Sequence, residues 1–114
     1  ALPILLMNWW DPMSPNMIGR IFDQVPFPGW ALEHAAITET SLMMYVAPEL
    51  VRQDLIADVG KTDPGFCYRY PIDKDSIPSN GVLATARSSS AQKGQWIVED
   101  VVSNISDFIR REFC

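Results

Sequence analysis

The sequence predicts the end of an α/β domain, and three observations support this prediction. Residues 4–9 are apolar apart from Asn8 and do not alternate with polar residues, which is typical of a strand that is covered on both faces. Between Ser14 and Val25, and again over 37–47, apolar residues recur at helical spacing. The chain then closes with a longer amphipathic helical pattern. Because one strand cannot form a sheet, we expect the remaining strands elsewhere in the protein.

Length and composition indicate one folded domain. The 114 residues are 47% hydrophobic and 20% charged, which are ordinary values for globular proteins. The net charge is −5 and no basic run occurs, so no nucleic-acid partner is expected, since phosphate binding needs clustered Lys and Arg. The apolar start is seven residues long, whereas a membrane span needs about 20. We therefore expect no membrane association.

The two cysteines and the first residue suggest where the protein is located and whether the chain is complete. Cys67 and Cys114 are too few for a disulfide framework, and neither has the Cys or His neighbours of a zinc site. We interpret them as free thiols in a reducing compartment, which predicts a cytoplasmic location. Residue 1 is not Met and lies inside an apolar run. The chain is thus expected to be a segment of a longer protein.

The first helix and the loop after it have clear boundary signals. Ser14-Pro15 should open the helix, because serine is a good N-cap and proline fits the first helical position. Val25-Pro26 should end it, because the residue before a proline is steered out of the α region. In the loop 25–31, two prolines restrict the backbone, and Gly29 permits an unusual turn before Trp30.

The middle of the chain predicts a second helix and an irregular connector. Residues 37–47 have helical character, and the second half is apolar all round, which predicts a helix enclosed by protein. A further short helix is expected over 48–57. Prolines, glycines and aspartates over 58–81 indicate a connector with a short strand at 66–70 and a turn at 79–81.

The last element is predicted to be an amphipathic helix of about 20 residues. Ser89 and Gln92 have the spacing of a capping box. The apolar stripe consists of Ile97, Val101, Ile105 and Phe108, widened by Val98, Val102 and Ile109. Asp100 falls outside this stripe. Gly94 is expected to weaken the first turns, because glycine is a poor helix former.

The stretch 29–41 is the candidate site, because it contains the single histidine, His34, between Glu33 and Glu39. Histidine exchanges a proton near neutral pH, and a glutamate can orient its ring. Trp30 could close over a flat ligand and exclude water. From these residues alone, a structural hydrogen bond at His34 and a core position for Trp30 remain open alternatives. The second histidine of a zincin helix is absent, and the scattered acids form no closed metal site.

Several motifs in this chain resemble the creatininase family. They are, in order, Trp9-Trp10-Asp11, Gly29-Trp30, Glu33-His34, Glu39-Thr40-Ser41-Leu42-Met43, Ala47-Pro48-Glu49-Leu50-Val51, Gly81-Val82-Leu83, Lys93-Gly94 and Arg111-Glu112-Phe113. The resemblance covers nearly the whole chain, and the block from Glu33 to Ser41 is its most specific part. It implies that 1–114 is the C-terminal portion of a single creatininase-like domain, with a central, mostly parallel sheet flanked by helices.

The resemblance also implies an activity and roles for four residues. Creatininases are metal-dependent amidohydrolases that open the cyclic amide of creatinine to give creatine. By resemblance, Trp10 and Trp30 would shape and close the substrate site, His34 would transfer a proton to the leaving ring nitrogen, and Glu39 would support the site. Glu33 matches a family position without an assigned role.

Metals and assembly follow from the same resemblance. The intact enzyme would bind two divalent metals, zinc and manganese, and form a homohexamer. The metal ligands would lie in an N-terminal segment outside this chain, so none of the residues here is expected to hold a metal. The isolated chain is therefore expected to be inactive.

Two alternative functions stay open. One is a creatininase-family hydrolase of another amide, such as a formamide, and the other is a non-catalytic assembly module. Trp10 and Trp30 favour creatinine, because they would supply both walls of a small pocket. Ala35-Ala36 stands where the family often has glycines, which would narrow the pocket or stiffen the backbone.

Overall fold

Three α-helices organise the chain in the computed structural model, which describes residues 4–56, 58–59, 69–71, 73, 76 and 78–114. Helix α1 spans Pro15–Ile21, α2 spans Ile37–Val46 and α3 spans Ala91–Phe113. Two short 3₁₀ helices, Pro48–Leu50 and Gln53–Leu55, follow α2. None of the described helices is both long enough and apolar enough to cross a lipid bilayer.

Helix α1 begins where the sequence predicts. The Ser14 hydroxyl accepts a hydrogen bond from the Met17 N–H at 3.2 Å, and Pro15 occupies the first helical position. The helix ends at Ile21, before Val25-Pro26, and the Phe22 N–H donates to the Ile18 carbonyl. The predicted start is therefore confirmed, whereas the helix ends earlier than the proline rule suggested.

Helix α2 matches its predicted bounds but is not enclosed on all sides. Its buried residues are Ile37, Thr38, Ser41 and Met44. Met43, Tyr45 and Val46 are exposed. The prediction of an enclosed helix is thus wrong for the described part of the chain, because α3 packs on one face of α2 and leaves the other uncovered.

Helix α3 is the longest element, with 23 residues, and it begins one residue later than predicted. Ser90, not Ser89, is the N-cap, and its hydroxyl accepts from the Lys93 N–H at 3.2 Å. The Ser89 hydroxyl instead donates to the Ile37 carbonyl of α2 at 3.3 Å. The predicted capping box is therefore wrong: the N-cap lies one position later, and the Ser89 side chain, which precedes α3, bonds to α2 instead.

The core lies where α3 crosses α1 and α2. Ile21, Ile37 and Ile97, one from each helix, are fully buried at its centre. The apolar stripe of α3 is narrower than predicted, since Val102 and Ile109 are exposed. These two residues therefore lie outside the face that packs on the core.

The described residues contain no strand, so the predicted strand at 4–9 is not confirmed. Residues 4–8 are irregular, and 9–12 form turns. Ile4 and Leu6 are 94% and 96% exposed, while Leu5 and Met7 between them are half-buried. A strand needs a hydrogen-bonded neighbour, and no described segment pairs with this one. The predicted α/β class with its central sheet is accordingly not confirmed here.

The connector was predicted with mixed success. The two 3₁₀ helices, Pro48–Leu50 and Gln53–Leu55, stand where one helix was predicted over 48–57. The turn at 79–81 is confirmed, since the Gly81 N–H donates to the Pro78 carbonyl at 2.9 Å. The predicted strand at 66–70 lies mostly outside the described residues. Cys67 also lies outside them, whereas Cys114 carries a free, exposed thiol.

Polar contacts fasten α3 to the segment around α1. Asp100 accepts hydrogen bonds from the Ser14 N–H at 2.9 Å and the Ser14 hydroxyl at 3.1 Å. The Lys93 ammonium, on a side chain that is only 7% exposed, lies 2.7 Å from an Asp23 carboxylate oxygen. This hydrogen bond with Lys93 holds the pKa of Asp23 below its ordinary value.

Candidate active site

Three indole rings form a cluster next to the predicted site. The rings of Trp10 and Trp30 stack, with centroids 5.9 Å apart and planes at 22°. Trp9 meets both of them edge-on, at 5.6 Å and 6.4 Å. Phe27 adds an edge contact to Trp30 at 4.9 Å. The two predicted substrate-site tryptophans are therefore neighbours, and Trp9 joins them.

The backbone turn at Gly29 sets the position of Trp30. Gly29 has φ of 93°, in the left-handed region that favours glycine. Its carbonyl accepts hydrogen bonds from the Leu32 N–H at 3.0 Å and the Glu33 N–H at 3.1 Å. This tight turn directly links the indole cluster to Glu33 and His34, and it confirms the unusual turn that the sequence indicated.

The spacing of the stacked rings limits what lies between them. A flat ligand held between two rings needs about 7 Å from plane to plane, which is twice a normal carbon contact distance. The Trp10 and Trp30 centroids are 5.9 Å apart. In this conformation each ring therefore covers a face of the other, and no flat ligand fits between them.

His34 and Glu39 form the second predicted pair. The His34 Nδ1 lies 3.8 Å from a Glu39 carboxylate oxygen, and the His34 side chain is 65% exposed. The His34 carbonyl accepts a hydrogen bond from the Leu83 N–H at 3.2 Å. The imidazole is thus open to solvent on one side, while its Nδ1 faces a carboxylate.

Hydrogen bonds to the Ala35 backbone hold Glu39 and Thr40 against the histidine loop. The Ala35 N–H donates to Glu39 Oε2 at 2.6 Å, and the Thr40 hydroxyl donates to the Ala35 carbonyl at 3.2 Å. Ala35 has φ of 53°, in the region that favours glycine. Ala35, which stands where a glycine was expected from the family resemblance, thus has a backbone conformation that glycine adopts more readily.

Glu33 is buried and caps the start of α2. The residue is 6% exposed. Its carboxylate accepts hydrogen bonds from the Ile37 N–H at 3.1 Å, the Thr38 N–H at 2.8 Å and the Thr38 hydroxyl. Burial raises the pKa of Glu33, while the bonds from Thr38 and Ile37 oppose that rise. Glu33 thereby satisfies N–H groups that the first turn of a helix leaves unpaired.

An open cleft of about 750 Å³ lies beside α2 and the two 3₁₀ helices. Glu39 and Arg52 are its charged lining residues, and Trp9 and Ala35 line it as well. The other lining residues are Thr40, Leu42, Met43, Leu50, Val51, Leu55 and Ile56. Trp9 is the member of the indole cluster that reaches this cleft. It was not predicted as a site residue, although it stands directly before Trp10.

The four predicted site residues are therefore brought together as two pairs. Trp10 contacts Trp30, and His34 lies beside Glu39. Within the described part of the chain, no ring contact or ion pair joins one pair directly to the other. The Gly29 turn links Trp30 to Glu33, the residue before His34, and Trp9 and Glu39 line the same cleft. The sequence contains one hint that Glu33 caps α2. Its acidic side chain lies only four positions before the predicted helix start at Ile37.

The donor set for metals is incomplete in the described ranges. Over residues 4–56 and 78–114, and the few described positions between them, no three His, Cys, Asp or Glu side chains group closely enough to hold a metal ion. A two-metal centre needs several such ligands around each ion. The described residues thus do not fit a complete metal site.

Comparison with known proteins gives a consistent result. A family model described as creatininase, creatinine amidohydrolase, matches residues 6–109. The chain is 35% identical over 112 residues to the creatinine amidohydrolase of Pseudomonas putida, covering 96% of this chain and 42% of that protein. The chain thus spans about two fifths of the length of the curated relative that it matches.

Solved structures agree with the sequence comparison. A manganese creatininase is 34% identical, with a TM-score of 0.88, covering 94% of this chain and 42% of the other. A creatininase mutant complexed with creatine is 35% identical, with a TM-score of 0.86, covering 92% and 41% of the two chains. The arrangement of these helices is therefore similar to part of a creatininase.

Proposed function

This chain belongs to the creatininase family, and from that premise we propose that the complete protein hydrolyses the cyclic amide of creatinine to give creatine. In this reaction one water molecule is added. The bond between the carbonyl carbon and the ring nitrogen breaks, a carboxylate forms, and the nitrogen takes up a proton. Support comes from the similarity to a creatininase mutant complexed with creatine.

The observation that carries the proposal is the pair of His34 and Glu39 beside an open cleft. Because Nδ1 faces Glu39, the other ring nitrogen, Nε2, is left to exchange a proton with substrate. The Glu39 carboxylate therefore lies on the Nδ1 side of the ring and leaves the Nε2 side free to face the substrate. His34 would then deliver the proton that the leaving ring nitrogen needs.

Trp10 and Trp30 are proposed to bind the flat face of the substrate. Indole faces suit a planar ring, and they attract it further if the ring is protonated. Since the two rings stack on each other here, substrate contact requires them to separate. Solved creatininases include variants at two tryptophans that are twenty positions apart. This is the same separation as that between Trp10 and Trp30.

Two divalent metals are proposed for the complete protein. The similar structures include a manganese creatininase and one of Zn-Zn type. Since the described residues do not fit a metal site, the ligands would come from other parts of the protein. The roles of His34, Glu39, Trp10 and Trp30 do not depend on where those ligands lie.

The remaining family expectations concern assembly, location and domain organisation, and they are proposals as well. A homohexamer would give the exposed side chains of Met43, Tyr45 and Val46 on α2 a surface to pack against. The free thiol of Cys114 agrees with a cytoplasmic location, where thiols stay reduced. We also propose that this chain is part of one domain whose sheet comes from the rest of the protein.

A creatinine assay on the complete protein tests the proposal. Formation of creatine is expected, together with about two metals per subunit. His34→Ala should lower kcat by about 10²- to 10⁴-fold with unchanged metal content. Gln92→Ala, on the exposed start of α3, is the control and should not change kcat.

The alternatives predict different results in the same experiment. Cleavage of formamides without cleavage of creatinine would indicate a different amidohydrolase of this family. A protein that cleaves neither amide and binds no metal would be an assembly module. Full turnover by His34→Ala would remove His34 from the mechanism.

A further inference from the structure

Two carboxylates cross over the loop that carries His34. Glu33 reaches forward over 34–36 and accepts from the N–H groups of Ile37 and Thr38. Glu39 reaches back from α2 and accepts from the Ala35 N–H. The loop is therefore closed at both ends onto the first turns of α2.

Outside the loop and α2, the His34 backbone carbonyl accepts a hydrogen bond from the Leu83 N–H at 3.2 Å, but the His34 side chain is held only weakly. This side chain is 65% exposed and lies 3.8 Å from Glu39, beyond hydrogen-bond distance. Ala35, directly after it, adopts a left-handed backbone that is unfavourable for alanine. An exposed ring on such a loop keeps a defined position only if its backbone is fixed by neighbouring groups.

Glu33 is not placed to react with substrate itself. It is 6% exposed. One of its oxygens accepts from the Ile37 N–H, and the other accepts from the Thr38 N–H and hydroxyl. Both oxygens are thus engaged within the protein, and the carboxylate faces the helix start.

We propose that Glu33 is a positioning residue, whose carboxylate and its Thr38 partner fix the backbone of 34–36 so that the His34 imidazole faces Glu39. This inference rests on the proposed function, because His34 matters through proton transfer. Without the hydrogen bonds that Glu33 accepts, the loop loses its closure onto α2, and the imidazole moves relative to Glu39 and the cleft. The main consequence is a slower proton-transfer step, with substrate binding little changed.

Thr38 offers the cleanest test, because its side chain is fully buried and valine has nearly the same shape. Thr38→Val removes only the hydroxyl that donates to Glu33, whereas Thr38→Ser keeps it. In the complete protein, Thr38→Val should lower kcat about 10- to 100-fold, as supporting residues around catalytic groups do. KM should change less than about twofold, and Thr38→Ser should return kcat to within about threefold of the natural protein.

Thr85→Val is the matched control. Its hydroxyl also donates to a carboxylate, that of Asp58, at 3.0 Å, but this contact lies outside the histidine loop. This variant should leave kcat unchanged. The pH profile of kcat/KM is a second readout, since Thr38→Val should change its shape and Thr85→Val should not. A purely structural role would lower stability without changing the pH profile.

Amide hydrogen exchange tests the positioning role of Glu33 without an activity measurement. Thr38→Val should speed exchange of the Ala35 N–H, while Thr38→Ser and Thr85→Val leave it slow. If the natural protein does not hydrolyse creatinine, the proposed function fails, and exchange at Ala35 still decides the role of Glu33. If Thr38→Val folds and retains both natural kcat and natural exchange at Ala35, the positioning role is overturned and the proposed function stands.

Discussion

Gly94 of α3 lies directly against the backbone carbonyl of Ser41 in α2. A Cβ atom at position 94 would come within 2.0 Å of the Ser41 oxygen and 2.8 Å of the Tyr45 Cβ. The sequence suggested that Gly94 weakens α3, because glycine is a poor helix former. The structure shows instead that the missing side chain lets the two helices pack at their crossing.

Gly94→Ala should therefore destabilise the protein. An added methyl group at a closed backbone contact typically costs about 1–3 kcal/mol, and a backbone oxygen cannot move aside as a side chain can. Urea unfolding of the complete protein measures the change. Gly19→Ala in α1 is the control, since nothing lies within 4 Å of its Cβ position. This substitution should stabilise by about 0.5–1 kcal/mol. Equal effects of the two substitutions would refute the packing role of Gly94.

Asp23→Asn should destabilise the protein at neutral pH by leaving the buried Lys93 ammonium without its charged partner. The hydrogen bond with Lys93 lowers the pKa of Asp23 in the folded state. The stability that this ion pair contributes is therefore present above 3.8, the pKa of Asp23 in the unfolded chain. It is lost as the pH falls through the lower pKa that Asp23 has in the folded protein.

The difference between natural protein and Asp23→Asn should accordingly shrink as the pH falls below about 4. Urea unfolding at neutral and at acidic pH measures it. Asp107→Asn, in an exposed pair with Arg110, should have little effect at either pH. A difference that does not depend on pH would show that the charge of Asp23 is unimportant.

Glu33→Gln should change the pH dependence of stability in the opposite sense. Burial raises the pKa of Glu33 in the folded state. The favourable contribution of the protonated form is thus complete below the unfolded pKa of 4.5, and it is lost as pH rises through the raised value. The stability of Glu33→Gln relative to the natural protein should therefore improve between acidic and neutral pH. The reverse trend would mean that the bonds from Thr38 and Ile37 outweigh burial.

Ala35→Gly should be tolerated, and Ala35→Val should not. At φ of 53° a Cβ is unfavourable, and a branched side chain more so. We expect Ala35→Gly to change stability by less than about 1 kcal/mol and Ala35→Val to lower it by about 1–3 kcal/mol. Ala31→Val, at an exposed position with ordinary φ, is the control. A harmless Ala35→Val would contradict the left-handed conformation.

Local signals predicted the helices well, because capping and proline effects act over a few residues. The start of α1 at Ser14-Pro15 is confirmed for this reason, and the start of α2 at Ile37 follows from its helical spacing. Features that depend on distant contacts were missed. The Asp100 bonds to Ser14 and the Ser89 bond to Ile37 join parts of the chain that are far apart in sequence. Spacing within one helix does not reveal them.

The candidate site was predicted in part for the same reason. The closeness of His34 and Glu39 follows from their position in one loop and helix start. The stacking of Trp10 on Trp30 depends on how two separate loops fold together. The functional roles of these four residues stay predictions. Trp9 was missed, because only the folded chain shows that it contacts the indole pair and also lines the cleft.

Two opposite sides of α2 make different contacts. Ser41, which contacts Gly94 of α3, and Glu39, which lines the cleft, are two positions apart, or about 200° around the helix axis. Since α2 packs on α3 at this position, a tilt of α2 at the crossing would move the Glu39 carboxylate relative to His34, without any change in the residues of the site itself.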